Sequence, residues 1–474
     1  MLKQGIKSHV GQLAAALAFL GSFCFFQFAY PYHLIRREQL NLFVYDGDYI
    51  AQTYRGTGWL VRFVSDFLEQ FFHLPVAGPL VVSLLLVGIG YVAYRICRHF
   101  MGQWPSLAVG TLFFAWSFMR EMGNLYQTRY TMVVLGYLSL ILLALQFRKV
   151  WLRPVAAVVF LAAGVWSLGS PYHKDYGRWW NVPKLDYERM IGLDVETARE
   201  NWDKVLELSK VDLYMEEASY CYNLAHAMKG NLGETLLNHS QNHHLTLVFP
   251  VSSERAVFSN TLAGEAWFQL GDMTVAEQSA ITSLQASPKH TGTRYLVRLA
   301  RVNLAMGEDA AARKYLDILS KTLFYGKWAR SMMPGHQDEA VRAQLAEARA
   351  KVIRKDFVHH SDSPRNVFHA LLEADPDNRV ALEYLLCFDL MGYNLDGFME
   401  DYVPVMPKGH LYHEAILIWL SRNGRLNPDE VTRYGVDLSL VDRMGRFGRN
   451  PEADSFRNTY WYYYLRAMQE AQQQ

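Results

Sequence analysis

The chain has 474 residues, a formal net charge of +1, and 51% hydrophobic against 20% charged residues. That balance excludes a disordered or collagen-like chain, and a nucleic-acid binder along its whole length would be strongly basic. Residues 1–170 hold 13 basic and 6 acidic residues and the remaining 304 hold 34 and 40, so a charge-poor, basic part precedes a charge-rich, acidic one.

We read this split as an all-α protein in three parts. About five transmembrane helices occupy 1–170, an aromatic juxtamembrane linker occupies 171–189, and a soluble helical-repeat domain occupies 190–474. Five apolar runs carry the first assignment: Val10–Tyr30, Pro75–Tyr94, Pro105–Met119, Tyr130–Phe147 and Val150–Leu168. The first has no charge in 21 residues, enough for about 30 Å of hydrocarbon. The third is short and is the weakest crossing. Pro75, Pro79, Pro105 and Pro154 fall in first turns, where a missing N–H is tolerated. Lys3 and Lys7 precede the first run as in a secretory signal. The run is longer than an ordinary signal core, and no small-x-small site follows Phe28-Ala29-Tyr30, so an uncleaved anchor is expected. Ala14, Ala18 and Ser22 give that helix one small-residue face.

Lysine and arginine density sets orientation. With the N-terminus inside, segments 1–9, 95–104 and 148–153 carry seven basic residues in 25, and loops 31–74 and 120–129 carry six in 54. Five crossings then place the soluble part outside the cytoplasm, which predicts a multi-pass inner-membrane protein with a periplasmic C-terminal domain. Within the first outer loop, about 57–73, Trp59, Leu60, Phe63, Val64, Phe67, Leu68, Phe71 and Phe72 recur at helical spacing, with Arg62, Asp66, Glu69 and Gln70 between them. This is the pattern of an amphipathic helix lying in the membrane interface. Trp166, Tyr172, Tyr176, Trp179 and Trp180 form an aromatic belt after the last run.

From about residue 190 the pattern is helical and repeats. Gly264, Trp267, Gly271, Ala276, Ala280 and Pro288 resemble a tetratricopeptide repeat: small residues where paired helices approach, a glycine at the turn and a closing proline. Weaker units run from Tyr220 to Gly230, from Ala300 through Gly307, Ala312 and Leu316, and from Val367 to Gly392. Gln337–Lys355 reads as a connecting helix. Stacked repeats present a concave face, and Thr261, Glu265, Gln269, Arg294 and Arg301 are its expected lining, a groove for a protein or peptide partner.

Other constellations were weighed for chemistry. Asp46-Gly47-Asp48 has two carboxylates spaced to hold a divalent cation and the phosphates of an activated donor, and the same tripeptide is a common turn. In this it is similar to multi-pass glycosyltransferases that use lipid-linked sugars, which carry acidic residues in the first outer loop. Arg120, Glu121 and Arg129 flank the second outer loop as boundary markers or an anion site. His239 and His243 stand four apart, near His244, with a second group at His359, His360 and His369, yet no His-Glu-x-x-His order supports a metal site. Cys24, Cys97, Cys221 and Cys387 give no Cys-x-x-Cys, and no phosphate-binding or nucleophile-elbow motif occurs, so no cofactor is implied.

The segments Asn223–Leu232 and Glu383–Leu386 through Gly392-Tyr393, with the loop Phe67–Phe72, resemble an uncharacterised multi-pass membrane family of Bacteroidota. That resemblance implies membrane helices before a repeat-like helical region and assigns no activity. Two functions follow as expectations. One is a membrane-anchored repeat protein, without catalytic activity, that recruits protein partners at the cell envelope. The other is a glycosyltransferase-like enzyme acting through Asp46 or Asp48.

Overall fold

The computed structural model describes residues 2–123, 127–147, 149–169, 181–211, 215–252, 257–287, 289–354, 364–403 and 409–473. Every regular element among the described residues is helical. The chain divides into two compact units: Met1–Ile191 with Pro288–Arg294 and Asp317–Arg330, and Gly192–Ser287 with Tyr295–Leu316 and Ser331–Gln474. The first division along the chain falls after Ile191. Two short stretches of the repeat region nevertheless belong to unit 1.

In unit 1 the helices are α1 (Leu2–Cys24), α2 (Tyr32–Gln39), α3 (Gly47–Thr53), α4 (Trp59–Glu69), α5 (Ala77–Cys97), α6 (Gln103–Glu121), α7 (Thr128–Ala144) and α8 (Leu152–Gly169). All five apolar runs are thus helical. Among the described residues, two segments rather than five are long and apolar enough to cross a membrane, His9–Ala29 and Ala77–Cys97, each of 21 residues. Helix α7, with 17 residues, spans only about 25 Å, and α6 ends on the charged pair Arg120-Glu121.

Helix α5 is the hub. Gly78, Val82, Ser83, Leu86, Ile89, Gly90 and Ala93 recur at helical spacing on its buried side, and it packs against α1, α6 and α7. At the α5–α6 crossing a methyl group on Gly110 would sit 2.7 Å from the Gly90 carbonyl oxygen, so glycine at both positions lets the backbones touch. A π-helical turn, Phe25–Ala29, ends α1 and inserts Phe26 and Tyr30 into a core with Leu34, Phe72, Val82, Leu86 and Met122.

Helix α4 has reversed polarity. Ser65 and Glu69 are buried and Asp66 is half-buried, whereas Trp59 and Leu60 are 50% and 55% exposed. Of the apolar stripe read from the sequence, Trp59 and Leu60 at the start of the helix face outward, Phe63 and Phe67 pack on Phe43, and Phe72 is buried in the core.

Unit 2 is built of antiparallel helix pairs. Val257–Leu270 and Met273–Ala286 are joined at Gly271, whose φ of +107° favours glycine; a methyl group there would also meet the Lys351 carbonyl oxygen at 2.7 Å. Asp272 then caps the second helix, accepting from the Val275 N–H at 3.0 Å. Gly264 lies against Ser279 and the Ala276 carbonyl, as close packing of the pair requires. Trp267 is buried and stacks on Phe368, with ring centres 5.8 Å apart. Asn378 ties two pairs together. Its side chain caps Arg379–Met391 and donates to the Leu270 carbonyl at 2.8 Å, satisfying the end of another helix. The stretch expected to connect repeats holds the helix Glu339–Ala350. Pro288, Tyr172, Tyr176, Trp179, Trp180, His359 and His360 lie outside the described residues.

Candidate functional site

The densest polar chemistry lies inside unit 1. Lys289 Nζ donates to Asp66 at 2.7 Å and to Asn41 at 3.0 Å, and stands 3.6 Å from Glu69. Glu69 also accepts from the Thr128 N–H at the start of α7, at 3.2 Å. Burial pulls the Lys289 ammonium down, but the Glu69 and Asp66 carboxylates outweigh it and hold its pKa above the ordinary value. Burial pushes the Tyr54 hydroxyl up, and the neighbouring Asp66 charge adds to that.

Two further buried carboxylates continue the network. Glu38 accepts from the Tyr325 hydroxyl at 3.1 Å and lies 3.7 Å from the His73 imidazole, which stacks on Phe324. Glu121 forms an ion pair with Arg37 and accepts from the Thr131 hydroxyl at 3.0 Å. Glu121 is 1% exposed and so lies in the protein interior. Arg120 and Arg129, read with it as a possible anion site, instead lie over the rings of Trp116 and Tyr130. A cavity of about 10 Å³ remains beside Glu38, Asn41, Gln70, Thr293 and Tyr325, the size of about one water. The arrangement neutralises charge and pins α2, α4, α6 and α7 together. It leaves no room for a substrate at its centre.

Asp46 caps α3, accepting from the Asp48 and Tyr49 N–H groups at 3.1 Å, and pairs with Lys321 at 2.7 Å. The Lys321 hydrogen bond, with the Tyr49 N–H, holds its carboxyl below the usual range. Asp48 is an exposed first-turn residue. The pair therefore takes the turn geometry, and neither residue lines the cavities described in this chain.

The expected groove is not an open face. Thr261 is buried and bonded to Ser283 at 3.1 Å. Glu265 is buried in an ion pair with Arg298, whose guanidinium lies 3.9 Å from the Phe268 ring centre. Arg301 covers the same ring at 4.8 Å and pairs with Glu200 at 2.7 Å. Gln269 is half-buried. Arg294 is buried in unit 1 beside Gln39. The structure thus brings Arg298, the partner of Glu265, and Arg301 around one phenylalanine. The signal that would have found this is the Glu265–Arg298 pair, 33 residues apart and so invisible on a single helical wheel.

The histidines disperse too. His239 is buried against Ser219, and His243 is an exposed turn residue with φ +46°, so the two do not share a helix face. Among the described residues no group of three or more His, Cys, Asp or Glu is placed to hold a metal. Sequence reasoning missed two buried acids of unit 2. Glu383 accepts from the Leu232 N–H at 2.8 Å and Glu414 from the Tyr460 N–H at 2.7 Å, so each caps the start of another helix. Burial pushes both carboxyls up to about 7, partly opposed by those N–H groups.

Fold and site together define an all-helical protein whose buried charges join helices and which, among the described residues, has two helices apolar enough for a membrane. The chain belongs to the Family of unknown function (DUF6057), whose model matches residues 6–174 and 171–467. No curated protein and no solved structure matches it.

Proposed function

We propose that this protein is a membrane-anchored scaffold. On this reading unit 1 is a multi-pass anchor in the inner membrane, including α6, α7 and α8. Unit 2 is a tetratricopeptide-like stack on the periplasmic side that recruits a protein or peptide partner. The observation that carries the reading is the reversed helix α4, whose carboxylates turn inward to Lys289 while Trp59 and Leu60 face out. In water that costs hydrophobic burial; against lipid it is the favourable arrangement. Leu13, Leu17, Leu20 and Phe28 of the first span are likewise exposed by more than half. Recruitment is supported by half-buried Gln269 and Arg301, the two expected groove positions that keep some exposure.

The test has two arms. A photoreactive residue at Gln269 is expected to give a discrete protein adduct in cells, and one at Leu60 to give lipid adducts. Asp48→Asn is expected to complement a deletion strain fully. Loss of complementation by Asp48→Asn at normal expression, with no adduct at Gln269, overturns the scaffold in favour of sugar transfer at Asp48.

A further inference from the structure

A crevice of about 180 Å³ opens between α1 and α6, both of which pack on α5. Gly11, Ala14 and Ala18 of α1, Gly90 and Tyr94 of α5, and Gly110 of α6 line it. Small residues of α1, with Gly90 and Gly110, leave this space between the larger side chains of Tyr94, Leu107 and Phe114, which also line it. Tyr91 also lines it, and its hydroxyl accepts from exposed Arg95 at 3.4 Å. Arg98 is exposed about one turn further along, and Phe100 and Trp104, 70% and 68% exposed, follow it in the chain. An apolar slot is therefore followed by two exposed cations, Arg95 on the Tyr91 hydroxyl and Arg98 on the Met101 carbonyl, and by exposed aromatic residues. That order matches an acyl chain, a phosphate and the interface of a bilayer.

We propose that this crevice is a binding site for an anionic phospholipid, with an acyl chain between α1 and α6 and the headgroup phosphate on Arg95 and Arg98. The inference rests on the membrane reading of unit 1. Charge complementarity selects the occupant: a partner helix would fill the slot but leave the cations at its mouth unused.

The experiment uses the full chain extracted from vesicles of equal parts phosphatidylglycerol and phosphatidylethanolamine, with retained lipid counted by native mass spectrometry. Wild type is expected to retain phosphatidylglycerol selectively. Arg95→Gln/Arg98→Gln should retain it roughly tenfold less, as loss of a charge-assisted phosphate contact implies. Ala14→Leu/Ala18→Leu, which fills the slot, should lose both lipids while melting normally. Equal retention by wild type and the arginine variant overturns the proposal. So does a change from dimer to monomer in the alanine variant with lipid unchanged, which would make the slot a contact between copies. A chain that stays soluble without detergent defeats the membrane reading itself, whereas a detergent-dependent chain that retains no phosphatidylglycerol defeats the lipid site alone.

Discussion

Helix α4 of unit 1 buries Glu69, half-buries Asp66 and exposes Trp59 and Leu60; the helix Glu339–Ala350 of unit 2 buries Leu345 and exposes Glu339, Arg342 and Glu347. The polar face is thus buried in one helix and solvated in the other. A helix turns its apolar stripe toward whatever replaces water, whether a protein core or lipid. The stripe alone therefore does not say which way a helix faces. The partners of its charged face do: Asp66 and Glu69 have Lys289, whereas Glu339 and Arg342 stand in solvent.

The comparison breaks most visibly where either core is opened. Trp267→Ala should destabilise unit 2 by about 3–5 kcal/mol as a core truncation, read as an earlier thermal transition. Glu121→Ala should cost unit 1 a similar amount, about 3–5 kcal/mol, because Arg37 would remain buried without its partner. The double variant Arg37→Met/Glu121→Met should recover most of that loss in detergent melts, since exchanging a buried pair for apolar groups is often neutral. Near-wild-type melting of Glu121→Ala would mean that water reaches the pair.

A smaller, pH-dependent effect belongs to unit 2. Glu383 and Glu414 bind protons more tightly folded than unfolded, because burial raises both carboxyls from 4.5 to about 7. The folded state therefore holds more protons between these limits, and its stability falls as pH rises from about 4.5 to about 7. Each group should contribute at most about 3 kcal/mol to that fall. Melting across this window should slope downward, and Glu383→Gln/Glu414→Gln should flatten the slope. An unchanged slope would place the effect elsewhere. Smaller still, Asp272→Ala should remove a helix cap at a cost of about 1 kcal/mol, measured by denaturant unfolding.

The legible parts of the fold rest on local chemistry. The apolar runs announce helices by length, and Gly271-Asp272 announces a turn and a cap within two residues. Gly264 announces close packing because only a side-chain-free position admits Ser279. What stayed hidden is long-range. Lys289 meets Asp66 across 223 residues and Lys321 meets Asp46 across 275, and nothing in either neighbourhood marks the other. Glu121 looked like a boundary charge because a charge at the end of an apolar run usually is one; here Arg37 comes from a different helix to neutralise it. Glu265 and Arg294 looked like groove residues because a helical wheel shows one neighbour, and a third element covers the remaining face.

The reversed polarity of α4 is tested most directly by a spin label at Leu60, compared with one at Arg342, in the chain reconstituted into vesicles. The account predicts that Leu60 relaxes with oxygen, which concentrates in lipid, and is shielded from a water-soluble nickel chelate, while Arg342 shows the reverse. Equal access of the chelate to both positions would contradict it.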